Sequence, residues 1–395
     1  RLFSLLYHIR RVVADLRFSN FINHHQANVA DELYKLTNCN YTFVELCPIY
    51  EWLLKGGYSD LSSRPYVLQA WKNKENMDRA MELLYSADVA LFSCPESWKY
   101  EALRAKTGKL TFDVSERWLK RGWLNLASPR LLKYFWYYYT VLARKNVYKL
   151  CSSAFACGDH YKLHSFKNKC YKWGYFTKVD KCNPVGASFS VSTSETLHSI
   201  MWCARFLKLK HPELPIQMAV RLKEKGYKFV LDMYGSGEEF EPTKVLAKNL
   251  NVEDVVNFKG NMSNGDILKA MREHELFLFT SDKNEGWGAV ANESMSNGCA
   301  IVASDAIGSI PFLVNDGVNG CVFESCKLNS LCEKVEWLLD NPEKRLQIAA
   351  NAYQTMRDVW SPENAANNFL KLVKMLQGGN NTLPIDGPCS KAYPI

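Results

Sequence analysis

The second half of this sequence alternates short apolar runs with amphipathic helical segments, and this alternation limits the possible folds more than any other feature. Apolar runs of strand length occupy residues 198–206, 227–233, 255–258, 276–280, 300–304 and 321–323. Helical patterns lie between them at residues 212–225, 240–250, 264–273, 289–297 and 329–339. Strand, helix and strand at this spacing predict βαβ units and a parallel sheet buried on both faces.

The first half follows the same alternation less regularly. We predict strands at residues 12–18, 42–46, 89–93, 110–114 and 153–156. Helical patterns lie at residues 27–36, 77–86 and 129–147. A turn-like stretch at residues 181–186 separates the two halves. The sequence therefore predicts an α/β protein with two domains, which its length of 395 residues also favours.

Composition excludes several classes of protein. Hydrophobic residues make up 47% of the chain and charged residues 23%, the balance of a globular protein with a large core. The 13 cysteines are odd in number and lack C-x-x-C spacing, so we expect reduced, buried thiols and neither a disulfide framework nor a zinc site. No apolar run reaches about 18 residues, and the first 11 residues do not resemble a signal peptide, so we expect a cytoplasmic protein.

Charge is distributed unevenly along the chain. The net charge of +8 divides into roughly +12 up to residue 190 and roughly −4 after it. This asymmetry suggests an anionic surface or partner for the first half, although simple solubility explains it equally well. Because the basic residues are dispersed, a nucleic-acid partner is disfavoured.

An aromatic stretch at residues 131–142 lies within the basic half and is bordered by Lys133, Arg144 and Lys145. We predict a buried or half-buried helix of the first domain there. Peripheral contact with a membrane, at the inner face of the plasma membrane, is kept as the alternative.

The most informative segment of the sequence follows the apolar run at residues 276–280. It contains Glu285, Gly286, Trp287 and Gly288, and a predicted helix starts near Ala289. The glycines let backbone approach a ligand closely, and a helix N-terminus favours a phosphate group. The helix also carries a second acid, Glu293. Both acids can face the crevice at the carboxyl ends of the strands, where open α/β sheets bind ligands.

Two cations follow the first strand of the second half. Arg205 and Lys210 come at the end of the apolar run at residues 198–206. They are placed to balance a bound diphosphate, while Glu285 and Glu293 accept hydrogen bonds from sugar or ribose hydroxyls. The alternative interpretation is that the two acids are solvent-exposed charges on a loop and a helix.

Together these segments resemble the retaining GT-B glycosyltransferases of family 4. Glu285 and Glu293 match the E-x7-E signature of that family. Arg205 and Lys210 match its G-R-x-x-x-x-K segment, with Ala204 where glycine is usual. Further matches, in the order of the family, are Gly235-Ser236-Gly237, Phe258-Lys259-Gly260, the run from Gly298 to Asp305, Gly308 and Pro311.

The resemblance implies a fold and a set of domains. GT-B proteins have two Rossmann-like domains whose parallel sheets face a central cleft, and a C-terminal helix crosses back to the first domain. Carried to this sequence, the acceptor-binding domain covers residues 1–185 and the nucleotide-sugar-binding domain covers residues 186–360. The crossover helix covers residues 361–377, and residues 378–395 form an irregular tail.

The resemblance also implies roles for single residues. Glu285 would hold hydroxyls of the donor sugar, Glu293 would bind the ribose, and Arg205 and Lys210 would neutralise the departing diphosphate. The remaining donor-binding positions are Gly286, Trp287, Gly288, Ala289, Gly235, Gly237, Lys259 and Gly260. For Gly235 and Gly237 an ordinary turn remains an equal alternative.

The first half departs from the family pattern at two places. The usual glycine-rich first loop is replaced by residues 19–26, which include His24 and His25. We expect one of the two to face the cleft, although either can be a helix-start or core histidine. After the strand at residues 110–114, where relatives often have a histidine, Glu116 is the best carboxylate candidate.

The activity implied is that of a retaining, hexosyltransferase-type glycosyltransferase that needs neither cofactor nor metal. No two aspartates occur at positions i and i+2, so the metal-binding D-x-D pair of GT-A enzymes is absent from the sequence. The donor would be a nucleotide-diphosphate sugar and the acceptor a glycan or a lipid-linked saccharide, in cell-surface polysaccharide synthesis. The alternatives are a catalytically silent sugar-nucleotide-binding subunit and a nucleotide-sugar epimerase on the same fold.

Overall fold

The structure, a computed structural model, describes residues 15–55, 59–120, 122, 128–180 and 197–395. Its strands form two sheets, and every pair of adjacent strands within them is parallel. The predicted α/β class with two Rossmann-like units is therefore confirmed. The boundary predicted at residues 181–186 lies outside the described residues, so the domain limits stay a prediction.

The first sheet has seven strands in the order β3-β2-β1-β4-β5-β6-β7. Its strands are β1 (Asp15–Ser19), β2 (Tyr41–Glu45), β3 (Val67–Gln69), β4 (Val89–Phe92), β5 (Leu110–Ser115), β6 (Val147–Cys151) and β7 (Cys170–Lys172). The helices between them are α1 (His24–Leu36), α2 (Glu51–Lys55), α3 (Lys74–Ser86), α4 (Trp98–Lys106), α5 (Pro129–Trp136) and α6 (Ala154–Lys162). We call this unit the N-terminal domain.

The second sheet has six strands in the order β10-β9-β8-β11-β12-β13. Its strands are β8 (His198–Cys203), β9 (Phe229–Tyr234), β10 (Val256–Gly260), β11 (Leu276–Phe279), β12 (Ala300–Ser304) and β13 (Cys321–Phe323). Its helices are α7 (Glu213–Glu224), α8 (Phe240–Asn249), α9 (Asn264–Glu273), α10 (Val290–Ser296), α11 (Ile310–Leu313), α12 (Leu328–Asp340) and α13 (Pro342–Gln354). We call this unit the C-terminal domain.

A last helix, α14 (Pro362–Leu376), returns to the N-terminal domain. Ser361 caps it by accepting a hydrogen bond from the backbone of Asn364 at 3.2 Å, and Pro362 suits its first turn. The ring of Phe369 is fully buried and packs on Phe112 and Trp173, with centroid distances of 5.1 and 5.9 Å. Helix α14 therefore covers the first sheet alongside α1.

The tail after α14 has no regular elements but lies against the edge strand β7. Lys391 forms an antiparallel bridge with Tyr171, and the backbone N–H of Ala392 donates to Cys170 at 3.1 Å. Lys172 pairs with Asp386 at 2.5 Å. The tail therefore covers an edge of the sheet that would otherwise expose unpaired backbone groups.

One sequence-based prediction in the N-terminal domain is wrong. Residues 153–156 were expected as a strand, but Ala154 begins α6 and the strand is β6, at Val147–Cys151. The helix pattern predicted over residues 129–147 ends before β6 begins. Lys149 interrupts the apolar run of β6, yet its side chain is fully buried because it pairs with Asp113 and donates to Ser115 at 2.6 Å.

The hydrophobic core continues from one domain into the other. Trp287 of the C-terminal domain is fully buried and lies 6.0 Å from the ring of Tyr175 and 5.7 Å from that of Trp360. In the described part of the chain, no helix is long and apolar enough to cross a membrane.

Candidate functional site

A cleft of about 650 Å³ lies between the two domains, where loops from the carboxyl ends of both sheets meet. The C-terminal domain supplies the loops after β8, β9 and β11, and the N-terminal domain supplies the start of α1 and residues near position 178. This is the position at which open parallel sheets bind ligands.

The loop after β11 is folded by its own side chains. The backbone N–H of Asn284 donates to the carboxylate of Asp282 at 2.8 Å, and that of Glu285 donates to the Asp282 carbonyl at 3.0 Å. This turn aims Glu285 at the cleft, where its carboxylate forms an ion pair with Lys210. Both side chains are largely buried, 14% and 12% exposed, so water screens their attraction only weakly.

The loop after β8 is tied to the loop after β11. The Thr280 hydroxyl donates to the Lys210 carbonyl at 2.6 Å, and the backbone N–H of Asp282 donates to Leu209 at 2.9 Å. Arg205 lies at the start of this loop and is exposed to the cleft. Its guanidinium has no hydrogen bond or ion pair with any other residue that the structure describes, so it is available for an anionic ligand.

Two glycines bring backbone to the floor of the cleft. Gly235 has a φ of +126°, and a Cβ there would collide with the carbonyl of Ala204. Gly288 has a φ of +80°, and a Cβ there would collide with the ring of Phe279. Both positions therefore require glycine, because a side chain would be strained and would displace the neighbouring loop.

Glu293, on α10, lines the same cleft. Asn264 donates a hydrogen bond to its carboxylate at 3.3 Å. Burial disfavours the charged form more than this bond favours it, and raises the pKa of Glu293 to about 7. The carboxylate is therefore poised to change its protonation when a ligand replaces the water around it.

Both histidines of the first loop line the cleft, where we had expected only one to do so. Asn23 caps α1 by accepting a hydrogen bond from the backbone of His25 at 3.0 Å. The His25 ring stacks on Tyr175 with centroids 5.4 Å apart. Burial, followed by the neighbouring His24, lowers the pKa of His25 to about 3, and burial also lowers that of His24. Both rings are therefore neutral at pH 7.

The two histidines also approach the acid of the opposite domain. Ligand atoms of His24, His25 and Glu293 all lie within 4.8 Å of one another, the one such group of potential metal ligands among the described residues. Neutral imidazoles and a carboxylate are suitable ligands for a divalent ion. Independence from metal therefore remains a prediction.

Glu116 lies at the contact between the domains. Its carboxylate sits directly against the α-carbon of Gly286, where any Cβ would collide with it. The Tyr175 hydroxyl donates to it at 2.8 Å, and the Lys120 ammonium lies 3.7 Å away. Lys120 in turn donates to the carbonyl of Asn284 at 3.0 Å. Glu116 therefore joins the N-terminal domain to the loop that carries Glu285.

A second cavity of about 430 Å³ lies within the N-terminal domain. Glu116 and Tyr175 line it, and the Tyr175 ring stacks on His25 of the cleft. Aromatic side chains line it, namely Phe92, Trp98, Trp118, Tyr134, Tyr138 and Tyr175. Its polar lining comes mainly from Arg17, Glu101, Asp113, Ser115 and Glu116. Tyr137 donates to Glu101 at 2.9 Å, and burial, followed by the charge of Asp113, raises the pKa of Glu101. Aromatic faces and carboxylates therefore meet in one enclosed space.

Several predicted residues support the cleft without lining it. The Trp287 side chain is buried between the domains and donates to Asn292 at 2.8 Å, so a donor contact there is restricted to backbone. The Gly260 carbonyl accepts from the backbone of Gly235 at 2.8 Å, and Lys259 pairs with Asp232 at 3.2 Å. At Gly237, a Cβ would collide with the carbonyl of Phe206.

The cleft also has lining residues that sequence reasoning missed. From the N-terminal domain these are Asn28, Ser59, Leu61, Arg64, Thr177 and Lys178, and from the C-terminal domain Asn261, Met262 and Asn264. None of them stands in a recognisable motif. Asn261 and Met262 directly follow the Phe258-Lys259-Gly260 segment, and this position next to a predicted donor-binding segment could have indicated that they line the cleft.

Part of the chain is similar in sequence to known proteins. Residues 189–355 match the family described as Glycosyl transferases group 1. The chain is 30% identical over 139 residues to the poly(glycerol-phosphate) alpha-glucosyltransferase of Bacillus subtilis, which covers 35% of this chain and 20% of that protein. It is 27% identical over 159 residues to the D-inositol 3-phosphate glycosyltransferase of Corynebacterium aurimucosum, covering 39% of this chain and 37% of the relative. The matches thus span well under half of each relative.

Solved structures match over nearly the whole chain. A glycosyltransferase from Rickettsia africae superposes with a TM-score of 0.67 at 15% identity, covering 94% of this chain and all of that one. Anabaena HepE, in complex with UDP and glucose, gives a TM-score of 0.64 at 13% identity, covering 92% and 100%. These likenesses establish the GT-B arrangement of two Rossmann-like domains.

Proposed function

We propose that this chain is a retaining, metal-independent glycosyltransferase that moves a sugar from a nucleotide-diphosphate sugar to a saccharide acceptor. The observation that carries the proposal is the meeting of Arg205, Lys210, Glu285 and Glu293 in one cleft. Two cations beside two acids are what a donor with an anionic diphosphate and neutral, hydroxyl-rich sugars requires. The match of residues 189–355 to a glycosyltransferase family supports the same function.

The cations would stabilise the leaving group. As the bond between the anomeric carbon and the diphosphate oxygen breaks, negative charge develops on the phosphate. Arg205 and Lys210 would stabilise this charge in a partly buried site. Lys210 already pairs with Glu285, so the carboxylate holds the ammonium in place before the donor binds. Glu285 would then accept hydrogen bonds from donor-sugar hydroxyls with its remaining lone pairs.

The acceptor hydroxyl would attack from the face that the diphosphate leaves, which retains the configuration at the anomeric carbon. The departing phosphate oxygen would take the hydroxyl proton, so the step needs no separate base. Neutral His24 and His25 would line the donor-sugar side of the cleft as hydrogen-bonding groups. Glu116 contacts Gly286 and would therefore position the loop that carries Glu285. It would also position the acceptor hydroxyl next to that loop.

The cavity of the N-terminal domain would hold the acceptor. Aromatic rings stack on the apolar faces of sugars, and the carboxylates of Asp113 and Glu116 accept hydrogen bonds from hydroxyls. A glycan end or the sugar of a lipid-linked saccharide fits this lining. The Bacillus subtilis relative is named for a polymeric substrate, poly(glycerol-phosphate), and we propose cell-surface polysaccharide synthesis for this chain.

The proposal is tested first by nucleotide binding. UDP, GDP, ADP and TDP are each added to the protein in the presence of EDTA, and thermal unfolding is followed. We expect one nucleotide to stabilise the protein, by about 2.7 kcal/mol at 100 times its dissociation constant. The matching nucleotide-sugar is then incubated with the enzyme and a saccharide acceptor, and NMR is used to determine the anomeric configuration of the glycoside formed, which should equal that of the donor.

Matched variants test whether the nucleotide stabilises the protein by binding in the cleft. Arg205→Ala should remove most of the nucleotide stabilisation, whereas Lys248→Ala removes an equal charge from the exposed part of α8 and should leave it intact. Stabilisation by no nucleotide would contradict the assignment of the cleft. Binding without sugar release or transfer would favour a silent sugar-nucleotide-binding subunit, and a changed sugar still attached to its nucleotide would favour an epimerase.

A further inference from the structure

The segment that forms one wall of the acceptor cavity has an unusual charge distribution. Residues 117–158 contain no Asp or Glu in 42 positions, while Glu116 and Asp159 flank them. Eight positions in this segment are basic: residues 117, 120, 121, 130, 133, 144, 145 and 149. The segment therefore carries most of the positive charge of the first half of the chain, at +8 of roughly +12.

Some of these basic side chains form ion pairs or hydrogen bonds within the protein. Lys149 is buried against Asp113, Arg117 pairs with Asp159 at 3.1 Å, and Lys120 reaches Asn284. The side chains of Lys133, Arg144 and Lys145 are instead exposed. Arg144 lies over the ring of Tyr139, 5.5 Å from its centroid, so its charge stays next to aromatic surface.

Helix α5, which carries Lys133, also exposes large apolar side chains. Leu132 is 50% exposed and Trp136, one turn later, is 60% exposed. The opposite side of the same segment is buried, because Tyr137, Tyr138 and Leu142 pack into the core of the N-terminal domain. The segment is thus amphipathic, with an apolar and cationic outer side.

We propose that this outer side docks on an anionic membrane surface. We call it the α5 face; it comprises the exposed Leu132, Lys133 and Trp136 of α5, together with the exposed Arg144 and Lys145 of the turn that ends the segment. A tryptophan and a leucine can enter the boundary between headgroups and acyl chains, while the cations stay at the headgroups. Each basic residue near an anionic leaflet strengthens binding by about fivefold. A dissolved polyanion would attract the same cations but would offer Leu132 no apolar surroundings.

Docking on the α5 face would bring the acceptor cavity to the membrane. Tyr134 and Tyr138 belong to the same segment and line the cavity from its inner side. A saccharide on a membrane lipid would then reach the cavity without leaving the bilayer. This consequence rests on the proposed function, whereas the docking itself does not.

The test is co-sedimentation of the full chain with vesicles. Vesicles of phosphatidylcholine alone are compared with vesicles that also contain phosphatidylglycerol, at low and at physiological salt. We expect binding to the anionic vesicles, weakened by salt. Reversing two charges (Lys133→Glu with Lys145→Glu) should weaken it by at least about tenfold. The pair Leu132→Ser with Trp136→Ala should weaken it to a similar extent at constant charge.

Controls use exposed residues of the C-terminal domain. Leu197→Ser removes an apolar side chain that is 63% exposed, and Lys248→Glu reverses an exposed charge; neither should change vesicle binding. Equal binding to both vesicle types, or binding that survives both α5 variants, would overturn the proposal. So would loss of binding only in the charge variants together with equally tight binding to soluble polyphosphate. Nucleotide stabilisation, measured on every variant, reports separately on the donor cleft and on folding.

Discussion

Glu293 lies in the cleft beside two histidines, His24 and His25, whose lowered pKa values leave them neutral at pH 7. Its raised pKa, about 7, means that the free protein holds a mixture of carboxylic acid and carboxylate near neutral pH. A carboxylate can accept hydrogen bonds from both hydroxyls of a ribose, whereas the protonated acid must donate from one of its oxygens. We therefore expect ligand binding at this residue to be coupled to loss of a proton.

Affinity for the nucleotide should consequently fall as the pH drops through 7. If only the carboxylate binds the ribose, the dissociation constant should rise up to about tenfold between pH 8 and pH 6. Isothermal titration calorimetry across this range measures the change. The nucleotide's own phosphate also titrates, so the reference is Glu293→Gln, which keeps the shape of the side chain and should bind more weakly with a flatter pH profile.

Identical pH profiles for the wild type and Glu293→Gln would show that this carboxylate does not titrate with binding. A further reference is Glu238→Gln, which changes a carboxylate on the loop after β9 that does not line the cleft. That variant should retain the wild-type profile.

The acids and cations of the C-terminal domain could be predicted to lie around one cleft because their spacing in the sequence is local. Arg205 and Lys210 share one loop, and Glu285 and Glu293 are separated by eight positions. The opposite wall of the cleft was not predictable in this way. Arg64 and Lys178 reach the cleft only because the chain folds two distant segments together, and nothing in their neighbourhoods indicates it.

Among the elements, α14 connects the two halves most directly. It follows the C-terminal domain in sequence but packs on α1 of the N-terminal domain. Its inner side consists of small residues such as Ala365 and Ala366 together with Phe369, all of them fully buried. The small residues let the helix approach closely, and Phe369 fills the space between Phe112 and Trp173.

Truncating that ring should be costly. Phe369→Ala should lower the free energy of unfolding by about 3–5 kcal/mol, since a large cavity would remain under α14. The urea midpoint, followed by circular dichroism, measures this loss. Lys371→Ala changes an exposed position of the same helix and should stay within about 0.5 kcal/mol of the wild type. A loss below about 1 kcal/mol for Phe369→Ala would mean that α14 does not stabilise the N-terminal domain.

The elements also show where sequence patterns stop being sufficient. The six strands of the second sheet were found because each is an apolar run between helices, whereas β6 was missed because Lys149 lies in its centre. Only the buried partner Asp113, on the neighbouring strand β5, makes a lysine possible there. The edge strands β3 and β7 have three residues each, which is too short for a periodic signal.

At the scale of the whole molecule, the domains are held together beside the cleft by side chains that fit against backbone. Asn292 donates to the Tyr175 carbonyl at 3.1 Å, and the backbone of Ala154 donates to Gly308 at 2.7 Å. Glu116 lies directly on Gly286 at the same junction. The approach of the domains therefore depends on the absence of a side chain at position 286.

Gly286→Ala should force the domains apart at this point. We expect a loss of about 1–3 kcal/mol in unfolding free energy, because the new methyl group collides with the Glu116 carboxylate. Adding Glu116→Ala should restore much of the stability, although transfer activity should stay low. Thermal unfolding of both single variants and of the double variant measures the coupling between the two positions.

The matched control is Gly265→Ala in α9, where a Cβ meets nothing closer than 3.9 Å and helix propensity favours alanine. It should be neutral or slightly stabilising. If the effects of Gly286→Ala and Glu116→Ala simply add, the two residues do not touch in solution and the junction is more open than the structure shows.

The return of the chain end to the first sheet has a consequence for synthesis of the protein. A ribosome releases β1 to β7 long before it makes α14 and the residues that bridge to β7 at Tyr171. Until then Phe112 and Trp173 lack the cover that Phe369 later gives them, and the edge of β7 stays unpaired. The N-terminal domain is thus completed only after the C-terminal domain has been made, and in the interval its exposed apolar surface and unpaired strand edge are prone to aggregation.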